Sequence, residues 1–181
     1  MRKAPVRLVA GWRFRAERPS AAVLAWIGDP GSLTARLVAR SHGAFRVRVT
    51  RLAWARPTLA ECRELGLRQR EWALIREVVL EGRGEPWVVA RSVIPRRTLA
   101  GPNRRLRRLG SRPLGAFLFR DPTLQRRGVQ VVRLENTRES GAVSTGKSGA
   151  VTWGRRSTFL LRGRPLLVAE YFLPALLASA A

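Results

Sequence analysis

Apolar positions recur every second residue through much of this chain. In Leu74-Ile75-Arg76-Glu77-Val78-Val79-Leu80 the pattern predicts a strand. Strand side chains alternate, so Leu74, Arg76, Val78 and Leu80 share one face. A second predicted strand, Leu166 to Leu173, places Leu166, Val168, Glu170 and Phe172 together. Each apolar face therefore carries one charge, Arg76 on the first and Glu170 on the second. A buried charge is costly unless it is paired. These two either pair with each other or stand at two ends of a pocket for a polar ligand, and the rest of the chain favours the pocket.

The remaining pattern predicts a short helix over Ser20 to Ile27, a turn at Gly28-Asp29-Pro30-Gly31, and a helix capped by Ser32 through about Arg40. Ala44 to Trp54 alternates as a strand, and Pro57 to Leu65 reads as a helix. The strand over Trp72 to Leu80 is joined to one over Trp87 to Ile94 by the loop Gly82-Arg83-Gly84-Glu85-Pro86. A short basic helix is expected over Asn103 to Leu109, and an apolar turn or helix over Pro113 to Phe119. Strands follow at Val129 to Leu134, Val151 to Leu161 and Leu166 to Leu173, the last two joined by the hairpin at 162–165. The Gly-, Ser- and Thr-rich segment 136–150 reads as a flexible loop insertion. About six strands in successive hairpins, with helices in separate blocks, predict an α+β fold. The expectation is one domain over 1–181, a single antiparallel sheet with flanking helices.

Composition narrows the function. The chain has 181 residues, 45% of them hydrophobic, enough for a core and too many for a disordered chain. No apolar run approaches the ~20 residues that span a bilayer, so a cytoplasmic protein without stable membrane insertion is expected. The one cysteine, Cys62, and the one histidine, His42, exclude an internal disulfide and a Cys/His metal centre. The net charge of +23 would ordinarily suggest nucleic acid. Here the basic residues are almost all arginine, with only Lys3 and Lys147 as lysine, and they are spread along the chain. Arginine-rich codon usage explains that pattern, and nucleic acid is not an expected partner.

Gly141 to Ser148 matches the phosphate-loop pattern G-x-x-x-x-G-K-[ST]. Six polar residues, Glu135 to Ser140, separate it from the preceding strand, and a strand-like stretch follows where a helix is required. Nucleotide binding is therefore not expected. The cluster Asn103 to Arg108 reads as a solvated face. No Ser-His-Asp set or hydrolytic carboxylate pair stands out. Arg91 alternates with Trp87, Val89 and Val93 and is expected as a third inward cation. Two arginines and one glutamate leave positive charge over, which suits a small molecule bearing carboxylates and a hydroxyl.

Several segments together resemble chorismate lyase: Gly84-Glu85-Pro86-Trp87, Ala90-Arg91-Ser92-Val93-Ile94-Pro95, Leu99-Ala100-Gly101-Pro102, Leu109 to Gly115 with Leu118-Phe119, Trp153-Gly154-Arg155-Arg156-Ser157, and Gly163 to Pro174. They run in order from about Trp26 to Pro174. The resemblance implies conversion of chorismate to 4-hydroxybenzoate and pyruvate, the first committed step toward ubiquinone, by a monomer without cofactor or metal. It implies that Arg76 binds the ring carboxylate and Glu170 the ring hydroxyl, with backbone amides at Leu33 and Leu114. It adds Arg91 or Arg155 as a further carboxylate anchor, and slow release of a buried product. The loop at 136–150 departs from the family. Two other readings are a non-catalytic effector-binding domain of related fold and a basic nucleic-acid-binding protein. Only about 19 residues precede the first helix, too few for the helix-turn-helix that effector domains carry upstream. No interleaved aromatic and basic platform supports the second.

Overall fold

The computed structural model describes residues 6–7, 19–135 and 151–178. The insertion at 136–150, with the phosphate-loop match and Lys147, lies outside the described residues. The elements in chain order are β1 (Val6–Arg7), α1 (Ala21–Ile27), α2 (Leu33–Ser41), β2 (Phe45–Ala55), α3 (Leu59–Leu65), β3 (Ala73–Gly82), β4 (Glu85–Pro95), α4 (Leu114–Leu118), β5 (Gln125–Glu135), β6 (Val151–Leu161), β7 (Arg164–Phe172) and α5 (Pro174–Ala178). Hydroxyl side chains set the starts of the first three helices. Ser20 accepts from the Val23 amide, Ser32 from Ala35, and Thr58 from Glu61, whose carboxylate in turn accepts from the Thr58 amide.

Six long strands form one antiparallel sheet, and the two-residue β1 adds in parallel at its margin, in the order β1-β5-β6-β7-β4-β3-β2. Two three-strand meanders, β2-β3-β4 and β5-β6-β7, meet along the β4–β7 pair. The α+β expectation is met. The hairpins are tighter than expected. Both β3–β4 and β6–β7 close through two-residue Arg-Gly turns, Arg83-Gly84 and Arg162-Gly163, with every φ positive (57° and 83°, 52° and 72°). Such turns match the twist of the strands they join.

The basic segment is a 3-10 helix, Gly101–Arg108, rather than an α-helix. Asn103, Leu106 and Leu109 are buried at every third position, the period of that helix, and Arg104, Arg105, Arg107 and Arg108 are exposed.

The sheet buries both faces. One packs under α1, α2, α4 and α5, around Trp26, Leu37, Val78, Leu80 and Phe172, and around Leu106, Leu118, Phe159 and Leu166. The other packs under α3, around Cys62, Leu65, Ile75, Val93 and Leu167. On this second face Arg91 bonds the Glu61 carboxylate through Nε (2.7 Å) and Nη2 (3.1 Å), and Glu77 through Nη1. Arg91 is thus a structural cation facing α3, not the inward third cation of the other face.

Two outcomes follow. Burial raises the Glu61 carboxyl pKa, but bonds from Arg91 and the Thr58 amide and the field of Arg91 outweigh it, leaving the value below the ordinary 4.5. A carboxyl with a depressed folded-state pKa stabilises the fold above its unfolded pKa, and that stability is lost as pH falls through the folded value. Thermal melts from pH 7 to pH 3 should show the parent losing more Tm at the acid end than Glu61→Gln. At Gly154, paired with Tyr171, an added Cβ would collide with the Glu170 carbonyl oxygen. Gly154→Ala should therefore force β6 from β7 and lower stability by about 1–3 kcal/mol, read as a lower Tm.

Candidate active site

The register places the charged residues. Along one row across the sheet, Val78 pairs with Ala90, Ala90 with Glu170, Glu170 with Arg155 and Arg155 with Val131. The next row runs Leu52, Arg76, Ser92, Val168. Paired residues point to the same face, so Arg76, Glu170 and Arg155 all rise from the face beneath α2 and α4. Arg76 and Glu170 stand two strands and two residues apart, about 11 Å at Cα. A third row brings Arg126 of β5 beside Phe159 of β6.

A pocket of about 500 Å³, its mouth included, sits between these rows. Its floor is Arg76, Val78 and Leu80 of β3, Ala90 and Ser92 of β4, and Val168 and Glu170 of β7. Leu33 and Thr34 of α2 and Leu114, Gly115 and Leu118 of α4 cover it, while Phe119, Phe159 and Arg126 close the side. The covering helices touch: a Cβ on Gly115 would come within 2.5 Å of the Thr34 hydroxyl. Leu33 and Leu114 are the first residues of their helices. First-turn amides have no partner inside a helix, so both present N–H groups at the end of the helix dipole that favours anions.

Arg76 is 2% exposed. Its Nη2 donates to the carbonyls of Gly110 and Arg112, both at 3.0 Å, and its buried Nε has no partner. No carboxylate of the described residues reaches it. Burial lowers its pKa from the ordinary arginine value, yet a guanidinium stays protonated at neutral pH. Glu170 is bonded through Oε2 to Arg155 Nε at 2.6 Å, not to Arg76. The fully buried Arg155 also donates from Nη1 to the carbonyls of Trp26 (3.2 Å) and Asp29 (2.6 Å). Arg155 is thus neutralised behind Glu170.

Arg126 is the residue that sequence reasoning missed. Its Nη1 donates to the carbonyls of Asp29 (3.3 Å) and Pro30 (3.2 Å), and its buried Nε is unpartnered. Its guanidinium lies 4.9 Å from the Phe159 ring centroid and 5.6 Å from that of Phe119. Burial, then the Arg155 charge, push its pKa down to about 10 against the attraction of Glu170 and Asp29. The pattern puts a strand only from Val129, whereas β5 begins at Gln125. Arg127 is an extra residue bulged out between the Arg126–Phe159 and Gly128–Thr158 pairs. A charged run before a glycine reads as loop, and only the pairing reveals its inward member.

Of the sequence-predicted residues, the structure brings together Arg76, Glu170, Leu33 and Leu114 at the pocket and Arg155 behind it. It does not bring Arg91 there. Three unlike features surround one apolar cavity: two guanidinium groups that no carboxylate of the described residues reaches, the Glu170 carboxylate held through Oε2, and two helix N-termini. That arrangement can hold a small, flat anion bearing more than one carboxylate and a hydroxyl.

Comparison with known proteins identifies the family. Residues 12–181 match the family described as Chorismate lyase. The chain is 46% identical over 154 residues to "Probable chorismate pyruvate-lyase" of Methylococcus capsulatus, covering 84% of this chain and 95% of that one. It is 43% identical over 173 residues to the protein of the same name from Aromatoleum aromaticum, covering 92% and 93%. Solved structures share the fold at far lower identity. A GntR-family transcriptional regulator from Bacillus cereus superposes with a TM-score of 0.56 at 10% identity, over 73% of this chain and 93% of that one. The C-terminal domain of the histidine utilization repressor from Pseudomonas syringae does so with a TM-score of 0.56 at 10% identity, over 72% and 92%. By sequence over nearly its whole length, the chain belongs to the chorismate lyase family.

Proposed function

We propose that this protein is a chorismate pyruvate-lyase, releasing pyruvate from chorismate and leaving 4-hydroxybenzoate for ubiquinone synthesis, as a cytoplasmic monomer of one domain over 1–181. The observation that carries this reading is the pair of guanidiniums, Arg76 buried and Arg126 half-buried, that have no counter-ion among the described residues and share an apolar pocket with Glu170, in a member of this family. Chorismate is a dianion with a ring hydroxyl, and its two carboxylates match the two uncompensated cations in number and sign.

The reaction breaks the ring C–O bond to the enolpyruvyl group and removes the hydrogen from the carbinol carbon. The ring becomes aromatic, and the enolpyruvyl fragment gains a proton at its methylene to become pyruvate. Aromatisation drives the step, so no metal, cofactor or covalent nucleophile is required. The residues' work is positioning and electrostatics. Arg76, with the Leu33 and Leu114 amides nearby, anchors one end of the ring. Glu170, held by Arg155 through Oε2, accepts from the ring hydroxyl through Oε1. The covering helices exclude water while the enolpyruvyl group departs. Because those helices must open for a buried product to leave, product release limits turnover and 4-hydroxybenzoate inhibits.

A second reading, a non-catalytic effector-binding domain, draws on the fold shared with the GntR regulators. Purified protein given chorismate, with pyruvate followed through lactate dehydrogenase, separates the two. Turnover unchanged by EDTA is expected, and pyruvate release no faster than background would sink the enzyme reading.

Arg76→Ala should weaken chorismate and 4-hydroxybenzoate together, by on the order of 10–100-fold, as a charge-assisted hydrogen bond of about 1.5–3 kcal/mol is lost. Glu170→Gln should depress kcat more than product affinity, because the hydroxyl end of the ring changes most during aromatisation. It should also lower Tm, since Arg155 then stays buried without its carboxylate. Arg76 and Glu170 do not touch, so Arg76→Met/Glu170→Met should recover neither activity nor stability. A double variant as stable as the parent would mean that the two are coupled after all.

A further inference from the structure

The pocket presents two cations, but the roles above occupy only one of them. Arg126 is bound to backbone on one nitrogen only, and its Nε is buried without a partner. Its two carbonyl acceptors carry no full charge, and no carboxylate of the described residues lies within ion-pairing distance. A half-buried guanidinium in that state lacks an anion. Two aromatic rings flank it, and the apolar surface they present beside it strengthens its field toward the cavity.

Its position along the pocket selects the anion. Arg126 and Arg155 donate to the same Asp29 carbonyl, and Arg155 holds Glu170, so Arg126 lies at the hydroxyl end of the site. On the chorismate ring the carboxylate is para to the hydroxyl, whereas the enolpyruvyl ether sits on the carbon next to it. With the ring carboxylate on Arg76 and the hydroxyl on Glu170, the enolpyruvyl group must point toward the Glu170 end. The other arginines expected from sequence do not serve there. Arg91 faces α3 and is neutralised by Glu61 and Glu77, and Arg155 is neutralised by Glu170.

We propose that Arg126 forms a second carboxylate subsite, which binds the carboxylate of the enolpyruvyl group through its open Nε edge. This inference rests on the lyase reading. It makes Arg126 a substrate-binding residue for a group that the aromatic product lacks. Arg76 recognises what substrate and product share, and Arg126 what only the substrate carries. The guanidinium remains protonated at neutral pH even with its pKa lowered to about 10.

The test compares two ligands on the whole chain. For Arg126→Met, kcat/KM for chorismate should fall on the order of 10–100-fold. The affinity for 4-hydroxybenzoate, measured by calorimetry, should change less than about 3-fold, in contrast to Arg76→Ala, which loses both. Retained product binding also shows that the variant is folded. Arg126→Lys, which keeps the charge but not the planar fork, should show a smaller loss with the same selectivity. Equal losses for both ligands in both variants would make Arg126 only a fastener of the α1–α2 turn and overturn the subsite. Unchanged chorismate kinetics would overturn it as well. If the parent itself released no pyruvate, the lyase reading would fail and this inference with it. An active parent with non-selective variants would reject the subsite alone.

Discussion

Among the described residues, three guanidinium groups rise from one face of a single sheet, Arg76 and Arg155 buried and Arg126 half-buried, and only Arg155 has a carboxylate. Moving an ion out of water costs several kcal/mol even after the protein relaxes, so each group must be solvated by something else. Here the solvent is backbone carbonyl. Arg76 takes the oxygens of Gly110 and Arg112, Arg126 those of Asp29 and Pro30, and Arg155 those of Trp26 and Asp29. These oxygens belong to the segments that lead into the covering helices: the loop before α4, the end of α1 and the α1–α2 turn. One set of bonds therefore keeps the charges soluble in the interior and fastens the covers. Carbonyl dipoles offset part of the cost without cancelling the charge, so the cavity remains a place where an anion gains energy.

How much of this was legible in the sequence depends on strand parity. Arg76 and Glu170 were readable because β3 and β7 alternate regularly around them. Arg91 was misread because β4 is apolar on both faces, and because one residue breaks its parity. Leu80 pairs with Val88 but Glu81 with Pro86, which leaves Trp87 bulged. Trp87 thus joins the pocket-side core while Arg91 and Val93 face α3, although all three occupy odd positions. The second bulge, at Arg127, hid Arg126 in the same way. Both errors arise from pairing register, a property of two strands together that a single stretch of sequence does not carry. The choice between an Arg76–Glu170 pair and a pocket also needed the structure, which gives Glu170 to Arg155.

The sheet itself is not what distinguishes a lyase. The two transcriptional regulators share this fold at 10% identity, so the architecture tolerates almost complete replacement of side chains. What this chain adds is a distribution of charge. The strand pairs put a neutralised Arg155–Glu170 unit at one end of the cavity, and guanidiniums with no counter-ion among the described residues beside it and at the other end. The overall charge of +23 contributes little to that selectivity. The exposed arginines of the 3-10 helix lie in water, where screening confines their influence to about 10 Å.

The same bonds bear on how the pocket is emptied under the proposed reaction. Before the C–O bond breaks, one dianion joins Arg76 to Arg126 and so ties the loop before α4 to the α1–α2 turn. Once it breaks, the two carboxylates belong to separate molecules, and that link through the ligand is gone. Pyruvate remains at Arg126, which is only half-buried and is bonded to the turn. The aromatic product remains at Arg76, which is 2% exposed and lies beneath the covering helices. The smaller anion therefore has the shorter way out, and the ring must wait for α2 and α4 to part. An order of release with pyruvate first and the aromatic acid last follows from where the two cations sit in the sheet.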